Sequence, residues 1–254
     1  MLSLYRQVTA KAARHAVTAW PAALSLIVYA LILAVADRAL APFGLVGGFV
    51  LAFVAAACWS SYLDLIAHAV AGSKIRFKWD DFRRTFGTHL WNVVSVMFAF
   101  WIISFLTAPL ERGPSGPAVA AILGFAMAFF FNTVPEQLYQ GRSRSFALLM
   151  DSGRFMVAHP VVWLLPNVLF AAIALAASGN LRVHNPAELL IVFGNTFSSP
   201  SGVLQIFAHF PLWSLPIVLF ALHYVMVFRG ILFKELSSGG GNARLRAFQA
   251  SLRR

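Results

Sequence analysis

The sequence predicts an all-α polytopic membrane bundle, with six transmembrane helices joined by amphipathic helices that lie in the membrane interface. Three observations carry that expectation. Of the 254 residues, 59% are hydrophobic and only 11% are charged, whereas a soluble domain carries about a quarter charged residues. So few polar groups cannot cover a chain of this size against water. The apolar residues gather in runs long enough to cross a hydrocarbon layer of about 30 Å at about 1.5 Å per residue. The charged residues fall between the runs, and mostly on one side of them.

The runs are about 19–36, 45–63, 90–108, 118–134, 161–177 and 210–228. Uninterrupted apolar runs of this length cross a bilayer only as helices, because a spanning strand needs the alternation of a closed barrel. Before the first run, Leu4, Val8 and Ala12 face away from Lys11 and Arg14, as on a helix lying flat in the interface. Weak cleavage-like triplets occur near residues 34–41. The segment before the first run is long for a signal peptide and the second run follows at once, so the first helix is expected to stay uncleaved.

The second run carries small residues at every fourth position, Gly44, Gly48, Ala52, Ala56 and Ser60, a spacing that lets another helix approach closely. Asp64 and His68 continue the series. An island of charge follows. Lys74, Arg76, Lys78, Arg83 and Arg84 stand among Trp79, Phe82, Phe86 and Leu90, a basic amphipathic helix in the interface. After the fourth run Phe146, Leu149, Met150, Gly153 and Val157 make a similar stripe opposite Arg144, Asp151 and Arg154. Pro166 and Asn167 interrupt the fifth run, and Pro211 and Pro216 the sixth. Prolines of this kind bend a helix and free its carbonyls. Between these runs, Pro186–Gly194 reads as a short helix capped by Asn185, too short to span. Arg229 closes the sixth run, and residues 237–254 read as a flexible basic tail on a Ser-Gly link. The whole chain, 1–254, reads as a single integral membrane domain.

Seventeen of the 20 Lys and Arg fall on one side of this threading, leaving only Arg38, Arg112 and Arg182 on the other. With the acids counted, the first side carries the entire net charge of +11. By the positive-inside rule that side is cytoplasmic, and both termini lie there. The expected location is the plasma (inner) membrane, with anionic lipid head groups as partners. Orientation and head-group attraction account for a pI near 10.9 without nucleic acid.

The chain also returns to the same pattern at a nearly constant interval. Trp20, Trp91 and Trp163 stand at the cytoplasmic starts of the odd-numbered runs and are almost evenly spaced. Asp64 and Glu136, at the ends of even-numbered runs, are separated by that same interval, and His15, His89 and His159 each precede one of the tryptophans. Fixed spacing of this sort predicts a threefold repeat of two-span units.

Catalytic signatures are absent from the sequence. Gly72-Ser73-Lys74 is no phosphate loop, because Ala67 stands where the first glycine belongs and Ile75 follows the lysine. There is no His-Glu-x-x-His and no Gly-x-Ser-x-Gly. Ser60, Asp64 and His68 share a face, but the imidazole is two turns from the hydroxyl and cannot activate it. Cys58, the one cysteine, permits neither an internal disulfide nor a thiolate metal cage. No catalytic residue, cofactor or metal is therefore expected. The candidate site is a polar cluster of Asp64, His68, Glu136 and Arg229, which would pin helix ends or gate a polar path, since intramembrane charges need partners. His223, inside the sixth run, is a further polar candidate. These features predict a non-catalytic subunit or scaffold that packs with another membrane protein or with copies of itself. The alternative is a transporter or permease component with a polar path near Asp64, with a lipid-modifying enzyme as the third reading.

Overall fold

The computed structural model describes residues 1–73, 85, 87–111, 115–141, 146–178 and 215–238. Regular structure among them is helical: α1 (Leu2–Thr18), α2 (Pro21–Leu40), a 3-10 turn at Ala41–Phe43, α3 (Gly44–Ala71), α4 (Leu90–Glu111), α5 (Gly116–Phe130), α6 (Val134–Gln140), α7 (Phe146–Ala158), α8 (Pro160–Ser178) and α9 (Leu215–Ser237). The basic island from Lys74 through Arg76, Lys78 and Arg83 to Arg84 lies outside the described residues, as do the outer segment 179–214 and the tail beyond residue 238.

Among the described residues four helical stretches are long and apolar enough to cross a membrane: Pro21–Ala71, Leu90–Leu110, Gly116–Gln140 and Pro216–Ser237. Phe146–Ala158 and Pro160–Phe170, bent by 94° from each other, make a fifth if the pair is counted as one span. That bend follows from Pro160, because the residue before a proline is pushed out of the helical region. The first and longest stretch does not run straight. The Tyr29 hydroxyl hydrogen-bonds the Ser61 hydroxyl at 2.7 Å, yet on one continuous helix these residues would stand about 48 Å apart. The chain folds back at Ala41–Gly44, where Gly44 takes φ +53°, a value that suits glycine. At Gly47 the Leu40 carbonyl oxygen occupies the space a Cβ would need, so the turn closes only over a bare backbone.

Helix α3 stops at Gly72, which adopts φ +79°. The Gly72 N–H donates to Ala69 O at 2.9 Å and the Ser73 N–H to His68 O at 3.0 Å, so the left-handed glycine cap satisfies the last carbonyls. The fourth apolar run, expected to be continuous over 118–134, breaks at Phe131–Thr133. Pro135 has no N–H to give to the Phe131 carbonyl, which instead accepts from Val134 at 3.1 Å. The sixth run does not end at Arg229, as expected, but continues for two more turns to Ser237.

The core lies at the end of the bundle where α1 sits. Buried side chains come from the second half of α3 (Ala56, Leu63, Ile66), the first halves of α2 and α4 (Leu26, Val93, Val96), α6, the start of α8 and most of α9. Helices α3, α6 and α9 pack on one another, α1 lies on α9, α4 on α3, and α7 on α5 and α6. Of the four stretches α9 is the most enclosed, with 61% of its most apolar window buried against 11–17% for the others. Toward the opposite end the helices expose large apolar side chains, among them Val35, Phe49, Trp101 and Phe105, a surface suited to lipid or to another helix.

Candidate functional site

The most deeply placed charges meet where α6 and α9 cross. Arg229 Nε donates to Glu136 Oε1 at 2.7 Å and Nη2 to Oε2 at 2.9 Å, the fork-to-fork geometry for which a planar guanidinium and a carboxylate are matched. Both residues are sealed from solvent, at 1% and 0% exposure. Arg229 Nη2 also donates to the Asn132 carbonyl, in the turn that the α5 break creates. The guanidinium carbon lies 5.1 Å from the centre of the Trp163 ring on α8, within cation–π range. Taking two charges out of water is costly, and it is offset only where geometry is good and the remaining donors are met. This site offsets much of that cost with partners from α6, α8 and the 131–133 turn.

A second layer holds those partners in place. Trp163 Nε1 donates to Asn132 Oδ1 at 2.7 Å, and Asn167 Nδ2 to the Trp163 carbonyl at 2.7 Å. The Phe155 ring stands perpendicular to Trp163 and tilted against Phe233. Ser152 on α7 donates to Phe130 O and pairs with the Thr133 hydroxyl, both at 2.8 Å. One turn beyond Glu136, Gln140 Nε2 donates to Gly230 O at 2.9 Å. Gly230 has no side chain because the Tyr139 hydroxyl fills the space where one would stand.

Asp64 and His68 form a second group on α3. His68 Nδ1 lies 3.6 Å from Asp64 Oδ2 and 2.8 Å from the Asp64 backbone oxygen. His89, just before α4, brings Nε2 to 3.8 Å from Asp64 Oδ1. The carboxylate contacts exceed hydrogen-bond length, so the imidazoles stand beside the carboxylate without bonding it. The Asp64 side chain is 13% exposed and that of His68 57%. Burial holds His89 below the usual imidazole value, partly opposed by the Asp64 carboxylate. The His89 backbone N–H donates to Ser60 Oγ at 3.0 Å, and Ser61 bridges the Tyr29 and Thr85 hydroxyls.

The four residues of the expected cluster thus stand as two pairs, Glu136 with Arg229 and Asp64 with His68. Arg229 does not reach out to head-group water; it is enclosed, because Glu136 and Trp163 supply what water would have. Of the small-residue stripe, Ala56 and Ser60 are buried while Gly44, Gly48 and Ala52 are exposed, and a Cβ at Gly48 would meet nothing within 4 Å. Sequence reasoning missed His89 as the neighbour of Asp64 and Trp163 as the lid on Arg229. It grouped Trp163 with Trp20 and Trp91, which are 54% and 71% exposed, whereas Trp163 is fully buried. Among the described residues no group of three or more His, Cys, Asp or Glu side chains is placed to hold a metal ion. No protein-family model, curated protein or solved structure matches the chain.

Proposed function

We propose that the chain is a six-span inner-membrane protein with both termini in the cytoplasm, acting as a non-catalytic subunit or scaffold. The observation that carries this reading is the use made of its buried charges. Glu136 commits both oxygens to Arg229, and Arg229 in turn engages Asn132 and Trp163. That arrangement fastens three helices and presents no free nucleophile or base. The fold-back at Ala41–Gly44 divides the first long stretch into two crossings. The 94° bend at His159 suits an interfacial helix, α7, feeding a crossing helix, α8. With α4, α5 and α9 these supply six.

The threefold repeat draws support from a register of polar contacts. Ser60, Ser61, Asp64 and His68 each stand one repeat interval before Asn132, Thr133, Glu136 and Gln140. Ser60 and Asn132 each accept from the following unit, from His89 and Trp163 respectively. Ser61 and Thr133 each pair with a hydroxyl of that unit, Thr85 and Ser152. Asp64 faces His89, and Glu136 holds Arg229. Helix α1 closes the set by packing on α9.

Anionic lipids and a membrane-protein partner, either another protein or a second copy, fit the basic inner face and the uncovered apolar outer halves. Purifying the full chain in mild detergent tests this: a stoichiometric partner or a defined homo-oligomer is expected, and a lone monomer from native membranes overturns it. A transport role is the second reading, favoured by a partly exposed Asp64 between two imidazoles. It requires that Asp64→Asn abolish a proton- or solute-linked flux in vesicles while the protein stays folded.

A further inference from the structure

We propose that α7 lies half-sunk in the cytoplasmic leaflet and docks on phospholipid, with Phe146, Met150 and Val157 among the acyl chains and Arg154 at the phosphates. This rests on the threading proposed above, which puts the start of α8 at that face of the membrane. A helix turns about 100° at each residue, and on α7 that turn sorts the side chains into three stripes rather than the two expected of an amphipathic helix. Leu148, Leu149, Ser152, Phe155 and Met156 are buried where α7 packs on α5 and α6, and Ser152 bonds the Phe130 carbonyl and the Thr133 hydroxyl. Next round the helix come Phe146, Met150 and Val157, exposed at 66%, 62% and 66%. The third stripe is Ala147, Asp151, Arg154 and Ala158. Leu149, which the sequence grouped with the lipid-facing stripe, belongs to the protein-facing one.

Only a boundary between hydrocarbon and water suits both open stripes. In water, three large apolar side chains in a row would stay wet. Deep in hydrocarbon, Asp151 and Arg154 would be stranded. A helix lying in the interface sinks its apolar flank about 5–10 Å and keeps its charged flank among the head groups. Arg154 is the neighbour of Met150 round the helix, so its stem can run along the apolar stripe while the guanidinium reaches phosphate. Its approach to Asp151, 3.4 Å at an exposed position, is a contact of little strength by itself. The 94° bend between α7 and α8 lays α7 along the membrane plane when α8 crosses it.

Helix α1 carries the same three stripes in the same order. Val8, Ala12 and Ala16 are buried on α9. Following them in the same rotational sense come Leu2, Ala13 and Val17, and then Ser3, Gln7, Lys11 and Arg14, all exposed; Arg6 interrupts the apolar flank. On both helices the sequence of faces is protein, apolar, polar. In units related by the proposed repeat, a shared sense turns both apolar flanks toward the same side of the membrane. A reversed sense on one helix would have pointed its apolar flank at water.

The test uses the full chain in phospholipid vesicles, in a Cys58→Ala background, with one spin label at a time at Met150→Cys, Val157→Cys, Ala147→Cys or Ala158→Cys, all exposed positions. Collision with oxygen, which concentrates in hydrocarbon, is compared with collision with a water-soluble nickel chelate. The expected result is a reversal of the ratio between flanks, with oxygen dominant at 150 and 157 and nickel dominant at 147 and 158. Should either apolar-flank variant fail to fold, Phe146→Cys takes its place, with oxygen dominant there as well. Nickel dominance on the apolar flank overturns the proposal by placing that stripe in water. Exclusion of both reagents overturns it by covering the stripe with protein, whether a partner, a second copy or another part of the chain. A topology reporter after residue 141 scores the threading separately. A cytoplasmic reporter with a nickel-dominated label at 150 sinks the lipid docking alone, and an external reporter with an oxygen-dominated label overturns the threading and the choice of leaflet.

Discussion

Two oxygens of Glu136 meet two nitrogens of Arg229 inside a layer of apolar side chains, with an indole across the guanidinium. The same closeness that stabilises the pair makes each member a liability alone. Glu136→Gln leaves a buried cation without its counter-charge and is expected to cost about 3–5 kcal/mol, with Arg229→Met similar. The double replacement Glu136→Leu with Arg229→Met removes both charges and is expected to lie nearer the wild type than either single change. Reversible unfolding in detergent measures all three, and strictly additive losses would show that the pair is not coupled. Arg229 was legible in the sequence as a partnered charge but was taken for the end of a helix, since a cation after a long apolar run looks like a membrane boundary. Its partner lies 93 residues away, a distance that no local pattern can report. Asp64 is a milder case: its polar setting could be read from its own helix, but the approach of His89 depends on how α4 returns to α3.

At the level of elements, Pro166 inside α8 removes the N–H that would have bonded the Val162 carbonyl. That carbonyl is the acceptor for Tyr5 from α1, so a flaw in one helix becomes an attachment point for another. Tyr5→Phe is expected to cost about 1 kcal/mol. In a Pro166→Ala background, where the helix supplies its own donor, that loss should fall toward zero; a double-mutant cycle of unfolding free energies checks the coupling, and equal losses in both backgrounds would refute it. The sequence marked Pro166 as a bend and α1 as an amphipathic helix, each from purely local chemistry. It did not join them, because the link depends on which carbonyl the proline frees and which helix lies over it. The turn at Phe131–Thr133 escaped notice for a related reason: apolar residues continue through it, and only the backbone shows the interruption. Helix existence followed from run length, while helix ends followed from hydrogen bonds that composition does not encode.

Across the whole molecule, packing is uneven. One end is a close-packed junction of α1, α3, α6 and α9, and the other leaves Val35, Phe49, Trp101 and Phe105 uncovered. The proposed threading makes a direct prediction. Topology reporters fused after residues 73, 141 and 238 should all report the cytoplasm, and one fused after 113 the opposite side. Disagreement between the first two would break the threading and the repeat together. The charge distribution of the sequence was sufficient to state this arrangement. Which apolar residues stay uncovered at the far end was not legible, because lipid-facing and partner-facing apolar residues look alike in composition.

The separation between Glu136 and Arg229 also sets an order of events during synthesis. Ribosomes add about 5–20 residues each second, so the arginine emerges about 5–20 s after the carboxylate it neutralises. Through that interval Glu136 on the nascent chain has no counter-ion. The junction of α6 with α9 can therefore close only after Arg229 has emerged.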